Sequence, residues 1–117
     1  MILYIDIDGT ICTEKKVMGK SAKDYMGAKP YMDRIAVINK LYDEGHEIHY
    51  WTARGTSSGI DWTDLTREQI TNWGCKFHEL HVGNKPHFDA YVCDKSWNSD
   101  AWFTQNLYEQ IPPLEEN

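Results

Sequence analysis

Runs of apolar residues alternate with amphipathic stretches along most of the chain. The apolar runs predict strands at 2–6, 47–52, 78–82 and 90–94, and helical spacing of apolar residues predicts helices at 30–44, 62–73 and 99–110. Residues 10–29 show neither period and are predicted as a long loop. Because strands alternate with helices, the pattern indicates an α/β fold, a three-layer Rossmann-like parallel sheet with helices on both faces.

Local signals place the ends of the predicted helices. Pro30 stands near the start of the first helix, and Gly45 ends it. Ser99 or Asp100 is the expected N-cap of the last helix. One side of the second helix carries Trp62, Leu65, Gln69, Ile70 and Trp73. Trp62 and Trp73 are therefore expected to face the core, whereas Trp97, Trp102 and Phe103 are expected to cover the sheet or a subunit contact.

The length and charge of the chain narrow its class. Its 117 residues are predicted to form one domain, 1–117. The net charge of −6 argues against general binding to nucleic acids or to anionic membranes. No apolar stretch of the sequence has the length of a membrane span. The N-terminal apolar run stops at Asp6, too early for a signal peptide. Three widely spaced cysteines indicate reduced thiols, so a cytoplasmic location is expected.

Two acids follow the first predicted strand directly. Asp6 and Asp8 are separated by one residue, so their side chains would share a face if the strand continued through them. Gly9 then lets the backbone turn away. Two carboxylates at the end of a buried strand are costly unless they are neutralised, and a divalent cation is the usual solution.

The other predicted strands also end in polar side chains. Thr52 closes the second strand and is followed by Arg54, whereas Asp94 closes the fourth. In an open parallel sheet the binding crevice lies beyond the carboxyl ends of the strands, so these side chains are expected to meet Asp6 and Asp8, with Lys85 on a neighbouring loop. Asp89 competes with Asp94 as a metal ligand, but it precedes its strand and would lie at the opposite end of the sheet.

This arrangement resembles the four motifs of the haloacid dehalogenase (HAD) superfamily of phosphotransferases, which occur in the same order. The resemblance implies that Asp6 is the nucleophile that forms an aspartyl-phosphate and that Asp8 is the acid and base. It also implies that Thr52 donates a hydrogen bond to the phosphoryl group and that Lys85 neutralises its charge. Mg²⁺ is the implied cofactor, held by Asp6, the backbone carbonyl of Asp8, and Asp94.

Arg54 allows two interpretations. It is a candidate for binding the substrate or its phosphate, because a guanidinium pairs readily with phosphate oxygens. The alternative is an ion pair that serves the structure.

Within the superfamily the chain resembles small, capless phosphatase-like proteins encoded beside capsule and surface-polysaccharide genes. The segments that carry this resemblance are 5–12, 39–46, 52–55, 73–74 and 85–89. No interval between the motifs has room for a large cap domain, so loop 10–29 would be a minimal flap over an open site. This group usually has two adjacent acids after the last strand, whereas this chain has Cys93-Asp94, which predicts weaker metal binding or slower turnover.

Loop 15–29 carries five lysines, Lys15, Lys16, Lys20, Lys23 and Lys29, against one acid, Asp24. One hypothesis is that this local charge of +4 attracts an anionic substrate. The alternative is a solvated loop with no role in binding.

The sequence therefore predicts a Mg²⁺-dependent phosphomonoester hydrolase that acts on a small phosphorylated substrate, with a sugar phosphate as the first candidate. The alternatives are a nucleotidase, a polynucleotide-end phosphatase, or a catalytically feeble HAD-like protein that binds a phosphorylated ligand or partner. A homo-oligomer is also considered, because a capless chain of this size gains stability from assembly.

Overall fold

The computed structural model describes residues 1–14, 22–112 and 114, without the side chains of residues 22 and 23. Its strands are β1 (Ile2–Ile5), β2 (Glu47–Thr52) and β3 (Glu79–Val82), and its helices are α1 (Ala22–Met26), α2 (Met32–Asp43), α3 (Thr63–Asn72) and α4 (Ser99–Thr104), followed by a 3₁₀ helix (Leu107–Gln110). Strands and helices alternate through β3, as the apolar pattern predicts.

The three strands form one parallel sheet in the order β1-β2-β3. Ile5 pairs with Tyr50 and Thr52 with Val82, so the carboxyl ends of the strands meet at one edge of the sheet. The prediction of an α/β fold with a parallel sheet is confirmed. The described residues contain no cap domain.

The core lies between the sheet and helices α2 and α3. Ile48 and Tyr50 of β2 point into it and are fully buried, together with Ile38 of α2 and Ile70 of α3. Each such side chain contributes about 1.5–3 kcal/mol by leaving water. Because side chains alternate along a strand, Trp51 lies on the opposite face of the sheet from Tyr50.

The predicted strand at 90–94 is wrong, because these residues pair with no strand in the structure. Tyr91 is 60% exposed and Val92 is 96% exposed, so no layer covers their apolar side chains. A β-branched, aromatic run forms a strand only when a neighbouring strand and a packed face receive it. The described part of the sheet therefore ends at β1 on that side.

The last helix is also shorter than predicted. It ends at Thr104, and Asn106 adopts a left-handed conformation with φ of 55° before the 3₁₀ helix begins. The N-cap is Asn98, whose side chain accepts a hydrogen bond from the amide of Ala101 at 3.0 Å, so the prediction of Ser99 or Asp100 as the cap is wrong.

The predicted loop 10–29 contains the short helix α1, which lies beside α3. Lys15, Lys16 and Lys20 fall outside the described residues, and so does the side chain of Lys23. The hypothesis that this lysine cluster attracts a substrate therefore stays a prediction.

Candidate active site at the carboxyl end of the sheet

The acid pair lies just beyond the end of β1. Ile7, between the two acids, is fully buried and anchors the segment in the core. The amides of Thr10 and Ile11 both donate to the carbonyl of Ile7 at 3.0 Å, which closes a tight turn. Gly9 makes this turn with φ of 79°, a left-handed conformation that favours glycine, as the sequence predicts.

Asp6 presents an accessible carboxylate. Its side chain is 40% exposed, and Lys85 Nζ lies 3.1 Å from Oδ1. The hydroxyl of Thr10 donates to Oδ2 at 3.3 Å. Lys85 therefore contacts one carboxylate oxygen and Thr10 the other, and the side chain remains partly exposed to solvent.

Asp8 is held differently. Its side chain is only 15% exposed and accepts two hydrogen bonds from Arg54, from Nε at 2.9 Å and from Nη2 at 2.8 Å. A parallel pair of charge-assisted bonds fixes both the position and the plane of a carboxylate. The thiol of Cys12 lies 3.7 Å from the same carboxylate.

Arg54 is buried, with 2% of its surface exposed. Nη1 donates to Thr66 Oγ1 at 3.2 Å and to Gln69 Oε1 at 2.7 Å, both on α3, and the guanidinium lies 4.5 Å from the centre of the Tyr25 ring. The structure therefore shows the ion-pair alternative for Arg54. The substrate-binding role of Arg54 stays a prediction.

Thr52 and Asp94 occupy different surroundings. Thr52 is 1% exposed at the end of β2, and its hydroxyl accepts a hydrogen bond from the amide of Arg54 at 3.2 Å. The hydroxyl retains its own hydrogen for donation. Asp94 is exposed, and its described contact is with the thiol of Cys93 at 3.8 Å. The structure thus gathers Asp6, Asp8, Thr52 and Lys85 near one sheet edge, whereas Asp94 forms no metal-binding group with the acid pair among the described residues.

The residues described do not by themselves complete a metal site. Among them, no three His, Cys, Asp or Glu side chains lie close enough together to hold a metal ion. Asp6 offers an accessible carboxylate of the kind Mg²⁺ prefers. Arg54 holds the side-chain carboxylate of Asp8, so Asp8 would contribute its backbone carbonyl, as the resemblance implies. The expected third ligand, Asp94, lies in a segment that does not join the sheet, and it forms no such group with the acid pair among the described residues.

Burial keeps the thiol beside Asp8 protonated. Burial and, after it, the negative charge of Asp8 raise the pKa of Cys12 to about 12. A neutral thiol is a poor nucleophile and a poor metal ligand. Cys12 therefore serves as a small packing residue at the site.

Three residues of the site were not singled out by sequence reasoning. Thr10 contacts Asp6, Gln69 holds Arg54, and the ring of Trp51 lies 5.2 Å from Lys85 Nζ. Gln69 left a signal, because an amide on an otherwise apolar side of a helix needs a buried polar partner. Trp51 left none, since its neighbour Lys85 is distant in sequence.

No family model matches the chain, and no curated protein matches it. The fold aligns with the crystal structure of an MCSG target from Vibrio cholerae over 92% of this chain and 91% of that one, with 24% identity and a TM-score of 0.74. It also aligns with D,D-heptose 1,7-bisphosphate phosphatase from B. bronchiseptica, crystallised with magnesium and phosphate. That alignment covers 93% of this chain and 63% of the phosphatase, with 14% identity and a TM-score of 0.51. These likenesses show a HAD-like fold.

None of the helices in the part of the chain that the structure describes is long and apolar enough to cross a membrane.

Proposed function

We propose that this protein is a phosphomonoester hydrolase of the HAD type that uses Asp6 as its nucleophile. The observation that carries the proposal is the pairing of an accessible carboxylate, Asp6, with the ammonium of Lys85 at 3.1 Å, at the carboxyl end of a parallel strand. An ammonium beside a nucleophile neutralises the phosphoryl oxygens that approach it.

In the first step, a carboxylate oxygen of Asp6 attacks phosphorus and the bond from phosphorus to the leaving oxygen breaks. Asp8 supplies a proton to that oxygen, so the leaving group departs as an alcohol. In the second step, water attacks the aspartyl-phosphate, Asp8 takes a proton from the water, and inorganic phosphate and free Asp6 are released. Thr52 and Lys85 hold the phosphoryl oxygens in both steps.

Arg54 fits this scheme as a positioning residue for Asp8. A carboxylate has about four acceptor positions on its two oxygens. The two bonds from Arg54 fix the carboxylate, and Oδ2 keeps a second position at which a proton can be carried. Because Thr66 and Gln69 hold the guanidinium in turn, the orientation of Asp8 is set from helix α3.

The proposal includes a requirement of the activity for Mg²⁺, which can be measured directly. Its support is the magnesium bound by the heptose bisphosphate phosphatase, together with the accessible carboxylate of Asp6. The ion would screen the negative charge of the transferred group. A metal centre with an incomplete set of protein ligands predicts a need for high Mg²⁺ concentrations, consistent with Cys93 standing where the related group has an acid.

The proposed substrate is a small phosphorylated molecule, with a sugar phosphate as the first candidate. The name of the heptose bisphosphate phosphatase and the resemblance to capsule-type phosphatases support this choice. A nucleotide is the second candidate, because the site is open to a bulky leaving group. A cytoplasmic location and a homo-oligomer remain part of the proposal.

The deciding experiment compares wild type with Asp6→Asn and with Asp33→Asn, an exposed acid of α2 that serves as the matched control. Phosphate release is measured from sugar phosphates and nucleotides, with and without Mg²⁺. We expect Asp6→Asn to lower turnover by on the order of 10³-fold or more and Asp33→Asn to leave it unchanged. Acid quenching during turnover should trap phosphate on the wild-type protein and none on Asp6→Asn.

Turnover that survives in Asp6→Asn would contradict the proposed nucleophile. If wild type hydrolyses none of these compounds at high Mg²⁺ but still binds one of them, the chain is instead a binding protein with a HAD-like fold. In that case the phosphate ester should bind wild type and lose affinity in Lys85→Ala.

A further inference from the structure

A cavity of about 650 Å³ adjoins the catalytic residues. At one end it is lined by Asp6, Thr10 and Lys85, and it extends from there along β1. Small-molecule sites commonly have volumes of about 300–1,000 Å³. A phosphoryl group at Asp6 would therefore leave the rest of its substrate inside this cavity.

Aromatic rings form the wall nearest the phosphoryl position. The ammonium of Lys85 lies 5.2 Å from the centre of the Trp51 ring and 6.0 Å from that of Phe88. The centres of the Phe88 and Tyr91 rings lie 5.6 Å apart. Because Lys85 also lies 3.1 Å from Asp6, the Trp51 ring is within reach of any group attached to the phosphate.

These rings are unusually accessible. Tyr91 is 60% exposed, Trp97 is 46% exposed and Phe88 is 42% exposed, and all three line the cavity. Scattered exposed aromatic residues need no explanation, but several gathered around one cavity mark a binding surface. Their flat faces suit a rigid ring, which loses little conformational entropy on binding.

Strand β1 forms another wall of the cavity and offers it backbone polar groups. All four residues of β1, Ile2 to Ile5, line the cavity, although successive side chains of a strand point to opposite faces. The edge of the strand must therefore face the cavity. Within the described residues, β1 pairs with β2 alone, so the amide and carbonyl groups on its other edge are open to a ligand.

We propose that this cavity is the subsite for the leaving group and that it selects phosphomonoesters whose leaving group is a ring with a flat face and hydrogen-bonding groups at its rim. The flat face stacks on Trp51, and the rim meets the edge of β1. This inference rests on the proposed function. Pyranose sugars and nucleosides share this chemistry, whereas an acyclic alcohol lacks the flat face.

A small ligand fits the cavity better than an added polypeptide strand does. The cavity ends at Asp6 and Lys85, whose charges suit a phosphate ester, and Lys95 adds a second cation to its lining. The backbone of an extended peptide is uncharged, so it matches these groups less well than a phosphate ester does.

The test compares kcat/KM for glucose 6-phosphate and adenosine 5′-monophosphate with that for glycerol 3-phosphate. Wild type should prefer at least one of the ring compounds by about tenfold or more, which is the scale of one aromatic stacking contact. Whichever ring compound is preferred identifies the source of the ring. Trp51→Leu should reduce that preference by about tenfold, mainly through KM, and Trp51→Phe should retain most of it.

Trp73→Leu is the matched control, because Trp73 packs against the core away from the cavity and should leave the preference unchanged. Equal kcat/KM for ring and acyclic compounds, or an equal loss for all of them in Trp51→Leu, would overturn the inference while the proposed function stands. If no compound is hydrolysed, the proposed function fails. In that case the affinities of the same three compounds for Asp6→Asn are measured by calorimetry. The ratio of the affinity for a ring compound to that for glycerol 3-phosphate then tests the selectivity of the cavity.

Discussion

The two acids of the site differ in how the fold holds them. Asp8 and Arg54 have side chains that are 15% and 1% exposed, and Arg54 is tied to α3 by two further hydrogen bonds. Asp6 is 40% exposed and meets Lys85 on a loop. The Asp8 half of the site is thus built into the core, whereas in the Asp6 half the carboxylate is partly exposed and Lys85 is 15% exposed. Under the proposed function, one motif would therefore serve stability through Asp8 and chemistry through Asp6.

The physical cause of the difference is burial. A buried ion pair is tolerated only when its hydrogen-bonding groups are satisfied, and Arg54 meets this condition through Asp8, Thr66 and Gln69. The Asp6–Lys85 pair is partly exposed, so water screens it more than the Arg54–Asp8 pair and it contributes less to folding. We therefore expect substitutions in the Asp6 half to change activity and substitutions in the Asp8 half to change stability as well.

Lys85→Ala should have the largest effect on activity. Removing a charged group that stabilises the transferred phosphoryl should lower kcat by about 10²–10³-fold, the scale seen when one oxyanion-stabilising donor is lost. The melting temperature should change little, because Asp6 remains partly solvated. Phosphate-release kinetics and thermal unfolding measure the two effects. A large loss of stability would show that Lys85 also supports the fold, and it would contradict the difference drawn here between the two halves.

Arg54→Ala should have the largest effect on stability. It leaves Asp8 without its buried partner and removes the donor to Thr66 and Gln69, so the free energy of unfolding should fall by about 3 kcal/mol. Urea denaturation measures this change. Lys76→Ala is the control, because the Lys76–Asp43 pair is about half exposed on both sides and should contribute about 0–1 kcal/mol. Equal losses in the two variants would contradict the assignment of Arg54 to the core.

The reactivity of the cysteine thiols should also distinguish the Asp8 half from the Asp6 half, and it requires no substitution. Cys12 lies against Asp8, whereas Cys93 lines the cavity beside Asp6. Burial raises the pKa of Cys12 to about 12 and that of Cys75 to about 11, so both thiols stay protonated at pH 8. We expect one thiol per folded chain to react quickly with a disulfide reagent, and three after unfolding.

Peptide mapping should locate that fast thiol at Cys93. Since only the thiolate attacks, the two buried cysteines should react about a hundredfold or more slowly. Rapid modification of Cys12 in the folded protein would mean that the Asp8 half opens to solvent. Mg²⁺ should not change the rate at Cys12.

Sequence reasoning succeeded where the pattern was local. The strands β1, β2 and β3 and the cores of α2 and α3 lie within their predicted ranges, because each has a clear apolar period of its own. It failed at 90–94, where an equally apolar run has no partner strand. It also extended the last helix past Asn106, whose left-handed conformation no apolar period records.

The amino-acid sequence by itself determined the α/β class and the position of Asp6 and Asp8 at the end of the first strand, because both follow from short-range alternation of apolar and polar residues. Only the tertiary structure decided which cation each acid receives. Arg54 and Lys85 both carry a positive charge at plausible positions in the sequence, but burial beneath α3 assigns Arg54 to Asp8, and the loop after β3 brings Lys85 to Asp6. Charge pairing depends on distance and solvent exposure, which arise only when separate segments pack together.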